Sequence, residues 1–306
     1  MIIVVFGSIN MDLVSRLPRL PAPGETLRGS DFFTALGGKG ANQAAACARL
    51  GAITVMIGRV GCDEFGSRLR AGLENLGVNV TGVTASPGSS GVAVIHLDDR
   101  GENSIVIIPG ANGKVGESDL KQLDLALIRA DILLMQLEIP LEVVIAAARL
   151  ARARGVRVIL DPAPASSLPD ELYTLTDFLT PNETECATLV GFQVHDLQLA
   201  EQAARILLKR GVRQVIIKMG ERGAYLHDGR SRELVSAFLI KAVDTTAAGD
   251  AFNGALAVAL GKDMVLRDAV RFANAAGAIS TTRQGAQTSM PTAADVEEFL
   301  KSQSGR

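Results

Sequence analysis

The sequence predicts an α/β protein with a central, mainly parallel sheet flanked by helices and with a small β-sheet lid. Residues 2–6 form a continuous apolar run that stops at Gly7, as in a strand buried on both faces. From residue 132 to residue 218 short strands alternate with helices. Because such alternation with short loops produces parallel strands covered by helices, it indicates the fold class. The last third of the chain is mostly helical in pattern.

Apolar periodicity, glycines and turn residues place the individual elements. Strands are predicted at residues 2–6, 53–57, 92–97, 104–108, 132–135, 156–160, 177–179 and 215–218. Helices are predicted at residues 41–50, 64–76, 141–154, 183–190, 198–209, 249–260, 265–280 and 293–300. Gly51 and Gly77 directly follow the first two helices, where glycine commonly ends a helix.

Two stretches break the alternation of strands and helices. Residues 17–36 are rich in Pro and Gly, and residues 98–103 have hairpin chemistry between two β-like runs. We therefore predict that residues 11–36 and 91–109 form the lid. The remaining segments, residues 1–10, 37–90 and 110–306, are predicted to form an α/β domain that binds nucleotide and substrate.

The composition excludes several classes of partner. The chain has 306 residues, of which 47% are hydrophobic and 21% charged, as in a globular protein with a large core. Its net charge of −2 and lack of a Lys/Arg block argue against nucleic-acid or membrane-surface partners. No apolar stretch approaches the roughly 18 residues that a membrane span needs. The three cysteines lack metal-type spacing, which predicts reduced thiols in a cytoplasmic protein.

Residues 244–250 contain the most informative pattern, because Ala247, Ala248 and Gly249 begin an apolar helix. Small side chains let the backbone approach a ligand, and the unpaired N–H groups of a first helical turn favour an anion. A carboxylate there would compete with a bound anion, which favours a chemical role for Asp250. The alternative is that Asp250 only caps the helix.

Polar residues and glycines near the N-terminus predict a second part of the site. Asn10 and Asp12 follow the first strand, at the sheet edge where ligands bind in open parallel sheets. An amide and a carboxylate can both hydrogen-bond sugar hydroxyls, although Asn and Asp also simply form turns. Residues 37–43 form a glycine-rich helix start with Lys39 and Asn42. This segment lacks P-loop spacing, and a plain glycine turn is the alternative.

The segment from Asn182 to Glu185 has two interpretations. Two carboxylates and an amide at the start of a helix suit Mg²⁺ held partly through water. The same residues are also typical of a capping box, in which the side chains only satisfy helix N–H groups. A dinucleotide-dependent oxidoreductase is disfavoured, since no G-x-G-x-x-G follows the first strand.

Taken together, residues 37–42 (GGKGAN) and 244–250 (DTTAAGD) resemble the two signatures of the ribokinase-like (PfkB) carbohydrate kinase family, and the resemblance spans essentially the whole chain. It implies that a pentose is held by Asn10, Asp12, Gly38, Lys39, Asn42, Glu138 and Asp250. It implies contacts to ATP and its Mg²⁺ from Asn182, Glu185, Lys218, Gly220, Gly223, Ala248, Gly249 and Asn274, with Glu185 acting on Mg²⁺ indirectly. It implies an activating monovalent cation, K⁺, at Asp244, Thr246, Ser280, Arg283, Gly285 and Ser289.

The same resemblance implies phosphoryl transfer from ATP to the 5-hydroxyl of D-ribose. Asp250 would accept the hydroxyl proton, and the N–H groups of Ala247, Ala248 and Gly249 would form the anion hole. The small lid would exclude water and pair with its copy in a homodimer. Alternative acceptors within the family are deoxyribose, a fructose-like ketose and nucleosides such as adenosine or pseudouridine. The remaining alternative is a non-catalytic sugar- or nucleotide-binding module.

Overall fold

A computed structural model describes residues 1–100 and 102–303 of the chain. Gly101, part of the predicted hairpin turn, lies outside the described residues. The strands are β1 Ile2–Phe6, β2 Asn10–Leu17, β3 Asp31–Gly37, β4 Ile53–Gly61, β5 Asn79–Ser86, β6 Gly91–Asp98, β7 Asn103–Ile108, β8 Ile132–Met135, β9 Arg157–Leu160, β10 Phe178–Leu179, β11 Gln214–Lys218, β12 Ala224–His227 and β13 Arg232–Val235. The α-helices are α1 Lys39–Arg49, α2 Glu64–Asn75, α3 Glu117–Ala126, α4 Leu141–Ala153, α5 Asp170–Leu175, α6 Glu183–Val190, α7 Leu197–Lys209, α8 Ala248–Gly261, α9 Leu266–Thr281 and α10 Ala293–Gln303.

The strands form two sheets. Among the described residues, the larger sheet has nine strands in the order β13-β12-β11-β10-β9-β8-β1-β4-β5, parallel except where β12 pairs with β11 and β13. The smaller sheet has four strands in the order β3-β2-β6-β7. The α/β class and the separate small sheet are thus confirmed. The assignment of the small sheet as a lid, and the division into domains, remain predictions.

Strand β1 shows why the large sheet is covered on both faces. Ile3 and Val5 belong to one buried cluster with residues of α8 and α9, whereas Val4 and Phe6 belong to the cluster on the opposite face with residues of α4 and α7. Successive side chains of a strand point to opposite faces, so an all-apolar strand needs a helical layer on each side. The continuous apolar run at the start of the sequence reflects this burial.

Several elements were not predicted from the sequence. The edge strand β5 alternates exposed and buried residues and has no continuous apolar run. Helix α3 buries only Asp119 and Leu123, so its apolar stripe is too thin to recognise. Strands β12 and β13 have four residues each and pair antiparallel, which breaks the alternation. Helix α5, with six residues, was also missed.

The parallel strands bring distant polar residues to one edge of the large sheet. Asn10, Glu138, Asp161 and Asn182 follow β1, β8, β9 and β10 in turn, and Lys218 ends β11. Ligands of open α/β sheets bind at the carboxyl ends of the strands. The fold therefore places these five residues along the same edge of the sheet, and three of them, Asp161, Asn182 and Lys218, line one cavity. In the described part of the chain no helix has both the length and the apolarity to cross a bilayer.

Candidate active site

A cavity of about 400 Å³ lies at the carboxyl edge of the large sheet, against the N-terminal end of α8. Its walls include nine of the residues predicted for the site: Lys39, Asn182, Glu185, Lys218, Gly220, Ala247, Ala248, Gly249 and Asp250. They come from segments separated by up to about two hundred positions in sequence. The cavity is therefore a product of the tertiary fold.

Asp250 lies in the first turn of α8 and is only 5% exposed. Its Oδ2 accepts a hydrogen bond of 2.9 Å from Asn42 Nδ2, and its Oδ1 accepts one of 3.0 Å from Gln43 Nε2. Burial raises the pKa of Asp250 to about 6; the charge of Lys39 opposes the rise and that of Asp161 adds to it. A buried carboxylate with a pKa close to neutrality has the properties of a general base.

The N-terminal end of α8 presents backbone N–H groups to the same cavity. Ala247 is the N-cap and has a φ of 59°, in the left-handed region that non-glycine residues seldom occupy. The N–H of Ala248 donates to the carbonyl of Thr245 over 3.3 Å, so this predicted anion-hole donor is partly engaged. The N–H groups of Gly249 and Asp250 have no acceptor among the described residues, as expected for a first helical turn.

Glu138 organises the part of the site contributed by the first strand. Its Oε2 accepts hydrogen bonds from Ser8 Oγ at 2.5 Å, from Asn10 Nδ2 at 3.3 Å and from the Lys39 backbone N–H at 3.3 Å. Asn112 Nδ2 donates to Asn10 Oδ1 over 2.6 Å and fixes the orientation of that amide. The structure thus brings together Asn10, Glu138 and the start of α1.

Asp12 lies on β2, close to Gly37 at the end of β3. It is 8% exposed. Burial raises the pKa of Asp12 to about 7, and the charges of Glu138 and Asp250 add to the rise. Gly38 adopts a φ of 90°, and a Cβ there would lie 2.6 Å from the backbone nitrogen of Asn10. Glycine is therefore required where the small sheet meets the first helix.

Lys39 carries the positive charge of the site. No described residue forms an ion pair with its Nζ. Burial lowers the pKa of Lys39, but four surrounding carboxylates outweigh burial and raise that pKa. They are Asp250, Asp161, Glu138 and Glu185. The Oδ1 of the neighbouring Asn42 is buried without a hydrogen-bond partner in the described structure. An ammonium and an amide oxygen left unpaired beside a cavity are suited to contact a polar ligand.

Asn182 and Glu185 form a capping box at the start of α6. Asn182 Oδ1 accepts from the Glu185 N–H over 2.8 Å, and Glu185 Oε2 accepts from the Asn182 N–H over 2.7 Å. Asn182 Nδ2 also donates to Glu185 Oε1 over 2.9 Å. Burial raises the pKa of Glu185, and the charge of Lys218 opposes the rise. The capping interpretation is therefore correct, and because both residues line the cavity, a role toward Mg²⁺ is an additional prediction.

The residues predicted along the nucleotide separate into two groups. Lys218 and Gly220 line the cavity, and Lys218 Nζ forms an ion pair of 2.7 Å with Asp161 Oδ1. Gly223 and Asn274 lie outside the cavity lining, next to the end of β13. Asn274 Nδ2 donates to the carbonyl of Val235 over 2.9 Å, and a Cβ on Gly223 would lie 2.1 Å from the same carbonyl oxygen.

Of the residues predicted for a monovalent cation, Asp244, Thr246 and Gly285 are joined by hydrogen bonds between the loop before α8 and the segment after α9. Asp244 Oδ1 accepts from the Thr246 N–H at 2.9 Å, and its Oδ2 accepts from the Gly285 N–H at 2.9 Å. Burial alone would raise the pKa of Asp244. The hydrogen bonds to its carboxylate outweigh burial, and the pKa is lowered. The Arg283 guanidinium forms an ion pair of 3.2 Å with Asp295. Ser280 and Ser289 each donate their hydroxyl to a nearby carbonyl at 2.8 Å.

Residues 2–293 match the profile described as pfkB family carbohydrate kinase. The chain belongs to this family. It is 44% identical to the ribokinase of Haemophilus influenzae over 301 residues, which is 98% of both chains. It is 39% identical to a deoxyribokinase of Salmonella typhi, covering 97% of this chain and 98% of the relative. A ribokinase of Arabidopsis thaliana, solved in complex with ribose and ATP, is 37% identical, covers 98% of each chain and superposes with a TM-score of 0.90.

Some residues of this kinase site were not assigned a role from the sequence. Gln43 joins Asp250 to Asp161, and Gln136 donates to Gln43 Oε1 over 2.6 Å. Asn112 supports Asn10, and Ser8 donates to Glu138. None of these four residues lies within residues 37–42 or 244–250, the two motifs on which the family resemblance was based. Ser8 and Gln136 closely follow the parallel strands β1 and β8, and that position is the signal that could have identified them.

Proposed function

We propose that this pfkB-family protein is an ATP-dependent kinase that phosphorylates the 5-hydroxyl of D-ribose, giving D-ribose 5-phosphate and ADP. The observation that carries the proposal is Asp250, a buried carboxylate with a pKa near 6 at the N-terminal end of α8. It lies beside a set of hydrogen-bonding groups suited to a polyol: Asn10, Asp12, Lys39, Asn42 and Glu138. The relatives named ribokinase, at 36–44% identity, support ribose as the acceptor.

The reaction forms a bond between the sugar oxygen and the γ-phosphorus and breaks the bond from that phosphorus to the β–γ bridging oxygen. Asp250 accepts the hydroxyl proton, and ADP leaves with the bridging oxygen. The N–H groups of Ala247, Ala248 and Gly249 are proposed to stabilise charge on the γ-phosphoryl oxygens, with Ala248 exchanging its long bond to Thr245 for the ligand. Most of the rate enhancement would come from alignment and charge stabilisation.

A coupled ADP-release assay across pentoses, hexoses and nucleosides tests this proposal. We expect the highest kcat/KM with D-ribose, and sugar-dependent ADP release slower by roughly 10²–10⁴ in an Asp250→Asn control. A failure of every acceptor to stimulate ADP release would contradict kinase activity and favour a binding module. Preference for a ketose or a nucleoside would contradict ribose as the acceptor.

Deoxyribose is the second candidate acceptor, because a relative named deoxyribokinase is 39% identical over nearly the whole chain. The two sugars differ by one hydroxyl. A site built to hydrogen-bond that hydroxyl rejects the analogue that lacks it, because its polar groups would stay unpaired. The ratio of kcat/KM for ribose and 2-deoxyribose in the same assay decides between them.

Mg²⁺ is proposed to accompany the nucleotide near Glu185. Both oxygens of Glu185 accept hydrogen bonds from Asn182, so this carboxylate fits an indirect role through metal-bound water better than direct coordination. When bound, Mg²⁺ would neutralise charge on the terminal phosphates. Glu185→Gln should raise the Mg²⁺ concentration needed for half-maximal rate, and an unchanged requirement would contradict this role.

K⁺ is proposed as an activating cation next to Asp244. The Asp244 carboxylate and the carbonyl of Thr281, at the end of α9, lie close together there: the Asp244 N–H donates to the Thr281 carbonyl at 3.1 Å, and the Gly285 N–H donates to Asp244. Oxygen-rich sets of this kind suit hard cations. Replacing K⁺ by Na⁺ should reduce kcat, whereas equal rates in both salts would argue against the site.

We also propose that the small sheet acts as a lid and joins two copies of the chain. Its two edge strands, β3 and β7, expose apolar side chains: Phe32 (63%), Phe33 (40%), Ile105 (51%), Val106 (56%), Ile107 (40%) and Ile108 (43%). Exposed apolar edge strands favour association. Val106→Lys should convert a dimer into a monomer in sedimentation experiments, whereas Leu125→Lys, at a 69% exposed position on α3, should not.

The proposed location is the cytoplasm. Cys47 and Cys186 are buried and Cys62 is exposed, and all three are free thiols. Free thiols are typical of proteins from reducing compartments.

A further inference from the structure

Asp250 shares one amide group with a second buried carboxylate. Gln43 Nε2 lies 3.0 Å from Asp250 Oδ1 and 3.0 Å from Asp161 Oδ2, so each of its two N–H groups serves one carboxylate. Asp161 is 1% exposed and Asp250 5% exposed. Two carboxylates held this close repel each other when both are charged, and each favours protonation of the other.

The orientation of the Gln43 amide is fixed from the other side. Gln136 Nε2 donates to Gln43 Oε1 over 2.6 Å, and both glutamines are fully buried. Because Gln43 Oε1 is engaged as an acceptor, the amide nitrogen faces the two carboxylates. Asp161 and Asp250 are therefore coupled through one fixed donor.

Lys218 supplies the charge that balances Asp161. Its Nζ lies 2.7 Å from Asp161 Oδ1 and 4.0 Å from Glu185 Oε2. Within residues 1–100 and 102–303, no other cationic side chain forms an ion pair with Asp161. The Lys218 side chain is 14% exposed, so water screens this pair only weakly.

We propose that Lys218 is a positioning residue for Asp250. Its ion pair neutralises Asp161, the carboxylate that shares the Gln43 amide, and so keeps Asp250 able to accept a proton near neutral pH. The inference rests on the proposed function, because it concerns the base of that reaction. It assigns Lys218 a role that acts through Asp161 and Gln43 and needs no contact with a substrate.

Other charged groups also surround Asp250 or its neighbour Lys39. They are Lys39 itself from α1, Asp12 from β2, Glu138 from the segment after β8, and Glu185 from α6. Unlike the carboxylates of Asp12, Glu138 and Glu185, that of Asp161 shares a hydrogen-bond donor, Gln43 Nε2, with Asp250. Lys218 therefore acts on Asp250 through a defined series of contacts, by way of Asp161 and Gln43, and not only through the electrostatic field of the cavity.

A direct contact with the triphosphate is the competing role for Lys218. Its Nζ lies 3.6 Å from the position that a Cβ on Gly249 would occupy, close to the N-terminal end of α8. The two roles differ in what they predict. A triphosphate contact changes the KM for ATP, whereas the positioning role changes the pH at which the base loses activity.

The test is the pH profile of kcat/KM for D-ribose at saturating ATP, from pH 5.5 to pH 9. The acidic limb of this profile is the pH range in which activity falls as Asp250 becomes protonated. In Lys218→Met the midpoint of this limb should lie about one pH unit higher, because the charge of Asp161 is no longer balanced. The loss of kcat/KM relative to wild type should therefore be about fivefold greater at pH 6 than at pH 9. Lys218→Arg, which keeps the charge, should leave the limb near its wild-type position.

The double variant Asp161→Asn/Lys218→Met is the decisive comparison. Without the charge of Asp161, the limb should return toward the wild-type pH. The matched control is Lys121→Met, which removes an exposed ion pair with Glu117 on α3 and should not move the limb. If Lys218→Met does not fold, Lys218→Gln, which keeps a donor to Asp161 without the charge, provides the same test.

Three outcomes would overturn the inference: a Lys218→Met limb that coincides with wild type, a shifted limb that the double variant does not bring back, or an effect confined to the KM for ATP. These outcomes are distinct from failure of the proposed function. If the wild-type protein releases no ADP with any sugar, the proposed function itself is wrong.

Discussion

The Asp12 carboxylate occupies the space that a side chain at position 37 would fill, and Gly37 leaves that space free. A Cβ on Gly37 would lie 2.2 Å from Asp12 Oδ2 and 2.5 Å from its Cγ, closer than any atoms tolerate. The two residues lie on the paired strands β3 and β2, and the absence of a side chain at Gly37 leaves room for the Asp12 carboxylate beside the groups proposed to bind the sugar. The glycine motif that begins α1 is thus also part of the wall around Asp12.

Gly37→Ala should weaken ribose binding without abolishing folding. The added methyl displaces the Asp12 carboxylate, and losing a hydrogen-bond partner for sugar hydroxyls costs about 1–3 kcal/mol, or roughly 5–150-fold in Kd. Titration calorimetry with D-ribose measures the loss. Gly116→Ala is the matched control, since a Cβ there meets only one atom, at 3.7 Å, and ribose affinity should be retained. Equal affinity in both variants would show that Asp12 does not bind the sugar.

Asp250→Asn should lower kcat by roughly 10²–10⁴ while ribose affinity stays within a few fold. The two oxygens of Asp250 accept one hydrogen bond each, from Asn42 and from Gln43. An Asn side chain has only one acceptor oxygen, so one of these buried donors would lose its partner. That mismatch should also reduce the free energy of unfolding by about 1–3 kcal/mol. Steady-state kinetics and urea unfolding measure the two effects. Turnover close to wild type would remove Asp250 from the mechanism.

Ribose affinity should depend on pH through Asp12. The pKa of this carboxyl group is raised to about 7 in the empty site, so a growing fraction is protonated as the pH falls below 7. If ribose binds the ionised form, its Kd should be about tenfold higher at pH 6 than at pH 8. Calorimetry at pH 6, 7 and 8 tests this, with Asp12→Asn as the control that should remove the dependence. A wild-type Kd that is constant across the range would contradict it.

Asp12→Asn should stabilise the empty protein at alkaline pH. The unfolded chain releases the Asp12 proton near pH 4, whereas the folded protein keeps it until about pH 7. The folded state therefore binds more protons in this interval, and its stability falls as the pH rises. The gain in the free energy of unfolding of Asp12→Asn over wild type should grow by about 2 kcal/mol between pH 5.5 and pH 8. A difference that does not change with pH would show that ionised Asp12 is not strained in the fold.

The elements with strong local patterns were predictable from the sequence. Strand β8 and helix α6 have the predicted bounds, and the predicted start of α8 differs by one residue. The edge elements β5 and β12–β13 were not predicted, because their patterns are short or alternating and depend on which helices or loops cover each face of the sheet. Lys218 shows the same limit within the site: the sequence assigned it to the nucleotide, and its ion pair with Asp161 emerged only from the fold.

By itself the sequence determined the fold class, the helix start that carries Asp250 and the two glycine-rich motifs, because each is encoded in neighbouring residues. Tertiary structure decided the rest of the chemistry. Asn42 and Gln43 reach Asp250 across more than two hundred positions, and the raised pKa of Asp250 arises from burial that no local pattern records. A carboxylate becomes a base near neutral pH only when distant parts of the chain exclude water and supply its partners.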